Sequence, residues 1–379
     1  KAGLFDVGLG YSNADRVLDL NLAISEDAGG LAATLLDLPG NPSVALTLQG
    51  TAPIDNYAAS LTIGTDGVAR ITGDIGVAAT DGGTGFSVDI AGDVTTLFLP
   101  EYQDFFGPSV QLKADDAKLL EGGFGLNNLD LTAKSLRLTG RAAIDANGLP
   151  SQISISGSVQ DPNGDIVLLP LSGDKTYVDR VDLNVGYNRA VSDDWTGEFN
   201  IVGLDRPGML IRDITLSGGG IISDAALSAV TANMQYAATG LELDDPGLSD
   251  AIGTDIQGDF AVNWQSGQPT RISRLSLNGA GLGLLADATI AGIDDGLNTT
   301  VSALLDADDI TRFSTLVGRP IEGSAKLVLL GEVAPLNGTF DAILTGDTVD
   351  LAVDLPQLDP YFNGTGTLSV QAVRDGEGT

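Results

Sequence analysis

TLLDLPGNPSVALTLQG, at Thr34–Gly50, returns without gaps as TLVGRPIEGSAKLVLLG at Thr315–Gly331. The copies agree at Thr34/Thr315, Leu35/Leu316, Pro39/Pro320, Ser43/Ser324, Leu46/Leu327, Leu48/Leu329 and Gly50/Gly331. Each then meets a Pro-Ile/Leu-Asp/Asn turn, Pro53-Ile54-Asp55 and Pro335-Leu336-Asn337. Looser versions place Gly253 and Gly258 ahead of Val262 and Trp264, and Gly364 ahead of Leu368 and Val370. What recurs is L-x-L, a period of two, so the unit is a strand whose apolar side chains share one face. Such units bury that face against their neighbours, which predicts an elongated β-scaffold rather than a globular catalyst.

The same alternation extends in both directions from the repeat. It is present at Leu18–Leu22, Phe86–Ile90, Ile153–Ser156, Val181–Val185, Leu275–Leu277 and Val349–Leu355. Aliphatic residues take one face and Asp, Asn, Ser or Thr the other, which describes a sheet with one dry and one wet side. The dry side is expected to carry Leu18, Leu20, Leu22, Val44, Leu46, Leu48, Ile153, Ile155, Val181, Leu183, Val185, Leu275, Leu277, Leu327, Leu329, Val349, Leu351, Val353, Leu368 and Val370. Asp19, Asn21, Ser154, Asp182, Asn184, Val328 and Asp350 are expected on the wet side, Val328 being apolar there. Asn-Gly at 147, 163, 278, 337 and 363, and Asp-Gly at 66, 81, 295 and 375, supply the positive φ values of tight hairpins.

Composition narrows the possible functions. Among 379 residues there are 50 glycines, while 43% hydrophobic content argues for order. The net charge of −32, from 51 acids against 19 Lys and Arg, excludes nucleic acid as a partner, because phosphates need cationic patches. It also keeps a long β-protein soluble by self-repulsion and opposes contact with anionic lipid heads. The absence of cysteine removes disulfides, thiolate zinc sites and cysteine nucleophiles. The absence of histidine removes a Ser-His-Asp triad. No cofactor, metal site or enzymatic activity is expected.

Short non-strand pieces at Asp93–Tyr102, Asp244–Ile252 and Asp308–Val317 each begin near an acid able to cap one or two helical turns. They read as plugs between modules or as crossover loops. The chain is expected to form one continuous scaffold over 1–379, with module breaks near 93–107, 244–258, 308–323 and 354–364. It begins with Lys1 and carries neither a signal peptide nor an apolar run of 18 or more, which reads as a mature product or a piece of a longer protein; because the repeat has no polar cap at either end, a piece is expected.

Three motifs yield to plainer readings. Gly279-Ala-Gly281-Leu-Gly283-Leu-Leu-Ala286 spells a G-x-G-x-x-A fingerprint, but strand and turn follow where a dinucleotide site needs a helix. Asp161-Pro-Asn163-Gly-Asp165 opens like a calcium loop, yet its glycine is at position 4 and Ser172 stands where Glu belongs. It reads as a turn. Trp195 and Trp264 lie on strands and read as core or interface anchors.

The phrases GGLAATLLDLPGNPSVALTLQGTAPIDNYAASLTI, DWTGEFNIVGL and FSTLVGRPIEGSAKLVLLG resemble the TamB family, the translocation and assembly module proteins related more distantly to AsmA-like proteins. The resemblance covers most of the chain from about Gly10 onward. It implies an all-β, elongated, repetitive antiparallel or mixed sheet, curved into a half-pipe with an apolar inner groove and short helical plugs. It further implies a periplasmic location and an inner-membrane anchor helix absent from this stretch. The implied cargo is phospholipid acyl chains moving between membranes, or nascent outer-membrane β-strands, with an Omp85-type (TamA-like) outer-membrane partner. The family has no catalytic signature, and no functional residue carries over beyond the alternating apolar positions.

A continuous aliphatic face suits acyl chains on physical grounds, since each buried CH₂ is worth about 0.8 kcal/mol without directional demands. With strands ~4.8 Å apart, roughly 25 strands would span on the order of 120 Å. Two other classes compete. A repeat adhesin or surface-layer protein would bury the same face in a closed sandwich or solenoid. A β-helical polysaccharide lyase would gather Asp, Arg and Lys on one face, and the scattered basic residues do not suggest it.

Overall fold

The computed structural model describes residues 3–35, 38–80, 83–120, 123–171, 173–223, 229–292, 297–334 and 339–374. Strand accounts for 67% of the chain and helix for 10%, in one long open antiparallel sheet. The chain divides into two compact units, Lys1–Val191 and Ser192–Thr379.

The first unit is a meander of β1 (Gly3–Ser12), β2 (Val17–Glu26), β3 (Val44–Pro53), β4 (Asn56–Thr65), β5 (Val68–Thr80), β6 (Gly83–Gly92), β7 (Val110–Leu120), β8 (Gly123–Thr132), β9 (Leu136–Ile144) and β10 (Pro150–Gln160). A two-residue-per-strand hairpin, β11 (Val167–Leu168) and β12 (Tyr177–Val178), precedes β13 (Arg180–Asn188), which pairs back onto β10. The second unit continues the same grammar in β14 (Ser192–Arg206), β15 (Met209–Ser223), β16 (Ala229–Leu243), β17 (Ile256–Gln265), β18 (Thr270–Gly279), β19 (Leu282–Ile290), β20 (Thr299–Ala307), β21 (Glu322–Ala334), β22 (Thr339–Ala352) and β23 (Thr365–Arg374). Each strand from β14 to β22 pairs with its successor.

Because strand direction alternates, connections fall on two rims, and within each unit all described helical turns share one rim. In the first unit this rim carries α1 (Leu31–Leu35), the 3₁₀ turns Thr95–Leu97 and Pro100–Tyr102, and α2 (Gln103–Phe106). The β11–β12 hairpin joins them there. In the second it carries α3 (Pro246–Ile252), the 3₁₀ turn Ile310–Phe313, α4 (Ser314–Val317) and the 3₁₀ turn Asp359–Tyr361. The repeat is therefore a rim turn followed by a strand: α1 leads into β3, and α4 into β21. Pairing continues across each expected break, β6 to β7, β16 to β17, β20 to β21 and β22 to β23.

Acids start these pieces as capping chemistry requires. Asp245 accepts from Leu248 N at 2.9 Å, Asp309 from Thr311 N at 2.9 Å, and Asp93 from Thr95 N at 2.9 Å. At seven residues, α3 is the longest helix described, too short to persist without packing. Packing comes from the dry face. Ile310 and Phe313 cover Leu282, Leu305, Ala307, Ala325 and Leu327, while Ile252 covers Ile211, Ala238 and Leu241.

The turn chemistry matches in part. Asp66-Gly67, with φ of 51° and 76°, closes the β4–β5 hairpin as expected. Asn278-Gly279 does not make the next one: both residues belong to β18, and the turn falls at Ala280-Gly281, with φ of 45° and 84°. The alternation of β18 carries two residues past the dipeptide. The turns expected at 81, 295, 335–337 and 375, and Ser172, lie outside the described residues.

Candidate functional site

Residues directly opposed in an antiparallel ladder point to the same side, so the register decides which side chains share a face. In the first unit one row runs Ala59–Ile75–Val88–Ala114–Leu129–Gly140–Ile155–Val185 across β4 to β10 and on to β13. Nearer the chain start, Val7–Leu22–Leu48–Leu61 crosses β1 to β4 on the same face. Leu18, Leu20, Leu22, Val44, Leu46, Leu48, Ile153, Ile155, Val181, Leu183 and Val185 all belong to it. In the second unit a row of ten strands runs Gly197–Gly218–Met234–Phe260–Leu275–Ala286–Ala303–Leu329–Leu344–Val370. Beside it lies Leu277–Leu284–Leu305–Leu327–Gly346–Leu368.

Two candidates depart from this placement. Val349 opposes Ser324, whereas its neighbour Thr348 opposes dry-face Ala325, so Val349 points to the wet side and is exposed. A register shift between Glu322 and Ser324, with Asp350 at φ 49°, then restores Leu351 to the dry side, where it packs against the rim core around Ile310. Val353 lies beyond the end of β22, its N–H donating to Asp359 Oδ1 at 3.0 Å. Strict alternation across 349–355 fails because the strand bulges and ends there.

The face is apolar yet not closed. Apart from exposed Val349 and Val370, all twenty candidates are half-buried. At the edge, β1 pairs with β2, and its dry-face residues Phe5 and Leu9 are 68% and 71% exposed. Polar groups hold the wet side. Asp19 accepts from Thr51 Oγ1 at 2.8 Å, and Ser60 Oγ donates to Asp74 Oδ1 at 2.9 Å. Cations there meet acids: Arg180 with Asp182 at 2.7 Å, and Lys326 with Asp306 at 2.9 Å.

Beyond Trp195, read as a core or interface anchor, sequence reasoning missed the aromatic members of the face. Tyr57, Trp195, Tyr236 and Phe260 lie on it by register. Their polar tips are spent on backbone carbonyls: Tyr57 OH to Gly50 O at 2.8 Å, Trp195 Nε1 to Thr231 O at 2.8 Å, and Tyr236 OH to Ser276 O at 2.9 Å. Burial, followed by the nearby carboxylates Asp19 and Asp259, raises the Tyr57 and Tyr236 hydroxyl pKa values. The middle strands were also missed as site residues, although Phe86–Ile90 displayed the alternation that places Val88 in the long row.

Among the described residues no group of three or more acids could hold a metal ion. The Asp161 carboxylate is buried at 2% exposure, accepting from Lys134 Nζ at 2.9 Å and from Asn163 N at 2.8 Å. The Lys134 hydrogen bond and then the Asn163 amide hold its pKa below the ordinary carboxylate range. Asp161-Pro-Asn163-Gly-Asp165 is therefore a turn locked by an internal cation. The G-x-G-x-x-A stretch is the β18–β19 hairpin. No helix of the described residues is long and apolar enough to cross a membrane.

Comparison with known proteins found no matching family model, no matching curated protein and no matching solved structure.

Proposed function

We propose that this chain is a non-catalytic, TamB-like carrier that shelters apolar cargo along the dry face of each sheet unit, with phospholipid acyl chains as the favoured cargo. The observation that carries the reading is the unbroken row of apolar residues and glycines, ten strands long in the second unit, in which six residues are half-buried, three buried and Val370 exposed. A face of near-equivalent aliphatic positions gives a lipid tail strong but unspecific attraction, about 0.8 kcal/mol per CH₂, so a tail can shift along it at little cost. The helical rim covers one side of that face with apolar side chains. On this reading the charged head stays in water while the tails lie on the face.

A second cargo, nascent outer-membrane β-strands, is offered the exposed apolar side chains of β1. Its dry-face residues Phe5, Val7, Leu9 and Tyr11 are 48–71% exposed. Periplasmic location, an anchor helix and an Omp85-type partner belong to the same proposal. The alternative is a structural repeat protein of the adhesin or surface-layer type, whose apolar face would be covered by protein.

The test is lipid exchange between donor and acceptor vesicles in the presence of the purified chain, with mass spectrometry of co-purifying lipid. Accelerated exchange and bound phospholipid are expected. Failure of both would overturn the lipid reading and leave the structural alternative.

A further inference from the structure

Val328, the apolar residue on the wet face, is not alone there. It opposes Leu304, which in turn opposes Leu285. Two residues along β21, Leu330 opposes Ile343 of β22. These five side chains therefore lie together on the polar side of β19–β22, 37–53% exposed and separated from the dry face by the sheet itself. Elsewhere this side carries chiefly polar and charged side chains, which need no cover, with Val349 a further exposed apolar residue on β22. A contiguous aliphatic patch facing water on an otherwise polar face marks an interaction surface.

Charge identifies the occupant. On the same face, two residues along their strands, stand Asp287 beyond Leu285, Asp306 beyond Leu304, Glu332 beyond Leu330 and Asp341 before Ile343. Of the nearby cations among the described residues, Lys326 is paired with Asp306 at 2.9 Å and Arg274, on the adjacent β18, with Asp259. An apolar centre ringed by acids repels an anionic membrane and opposes a second copy of a chain with net charge −32. We infer that the wet face of β19–β22 docks a protein segment with an aliphatic centre and a Lys/Arg rim. This inference does not depend on what the dry face carries.

The experiment titrates the full chain with a fluorescent amphipathic peptide of alternating Leu and Lys, compared with a Leu/Glu peptide of the same pattern. Binding of the Leu/Lys peptide is expected to weaken at least about fivefold in the double variant Leu330→Ser/Ile343→Ser, and again in Leu304→Ser, which keep every charge. Both variants replace exposed side chains, and unchanged thermal unfolding verifies their fold. Added salt is expected to weaken binding further. Unchanged affinity in both variants, attributable to charge alone, would overturn the inference. So would equal binding of the Leu/Glu peptide. Self-association or binding to anionic vesicles that the serine variants abolish would also overturn it, assigning the patch to a second copy or to a membrane.

Discussion

Gly218, at φ 158° in the middle of β15, occupies a point where a Cβ would fall 2.1 Å from Asn233 O on the neighbouring strand. The strand bends there more sharply than a side chain permits, so Gly218→Ala is expected to lose about 1–3 kcal/mol in urea unfolding, whereas Gly8→Ala, with only ordinary contacts at 3.6 Å, should stay within about 0.5 kcal/mol. Two aromatic residues brace similar places. Trp195 opposes Gly220 and donates to Thr231 O on the next strand, and Tyr236 opposes Gly258 and donates to Ser276 O. Tyr236→Phe keeps the ring and removes the bond, for an expected loss of about 1 kcal/mol in the same measurement. Ionisation matters most at Asp161. Its lowered pKa means its contribution is full above the unfolded carboxyl value of about 3.9 and is lost as pH falls through the lower folded value. Lys134, raised by Asp104 and Asp161, contributes below the unfolded amine value of about 10.4 and is lost as pH climbs through its higher folded value. In Lys134→Met the acid limb of the stability–pH curve should flatten, read by thermal unfolding between pH 2 and 7. Glycine count and the Asp161 turn were readable from the sequence. The glycine–aromatic partnerships and the Lys134 pair were not, since each joins residues on different strands.

At the scale of elements, short runs decided what could be anticipated. An acid ahead of Thr95, Leu248 and Thr311 announced the rim turns, because N-capping is a contact within three residues. Leu46, Leu48, Leu327 and Leu329 could be assigned to one side of their strands because a period of two leaves no other arrangement for a half-buried sheet. Val349 could not, because the β-bulge at Asp350 depends on pairing with Glu322–Ser324, far away in sequence. Asn278-Gly279 failed for a related reason: the pairing of β18 with β19 continues to Gly279 and Leu282, which displaces the turn. That the rim turns fold over the dry face was also invisible, since nothing local says which face a crossover covers. Ile310 is 7% exposed against Leu282, Ala307 and Ala325. Ile310→Ala should cost about 2–5 kcal/mol in urea unfolding, the range for a buried aliphatic truncated to alanine, and loosen protection of the 310–317 amides in hydrogen exchange. A loss below about 0.5 kcal/mol would show that the rim turn is an ornament on a self-sufficient sheet.

For the whole molecule, the decisive question is whether the dry faces are surfaces for cargo or the inside of a packed body. The all-β, antiparallel character was legible from the repeat and the pervasive alternation, while the division at Val191/Ser192 left no mark in composition. A charge placed on the dry face separates the two possibilities. Leu329 lies in the ten-strand row and Leu183 on the last strand of the first unit, both half-buried. On an accessible face, Leu329→Asp or Leu183→Arg can turn its charge toward water when no cargo is bound, so unfolding should shift little. A lipid tail moving past must desolvate that charge at a cost of several kcal/mol, so vesicle exchange should fall at least about tenfold. Matched controls on the wet face are Asn233→Asp, opposite Gly219 and Ala261, and Thr72→Arg, opposite Thr62 and Ala91. Asp350 is unsuited to this role because its carboxylate accepts from Gly364 N at 2.8 Å and holds the turn before β23. If the face is instead packed against protein, the order reverses: an unpaired charge in a close-packed interior unfolds its unit, while the controls remain silent. Retained folding with lost exchange in the dry-face pair, and neither effect in the controls, is the outcome that a carrier requires and a closed structural repeat cannot produce.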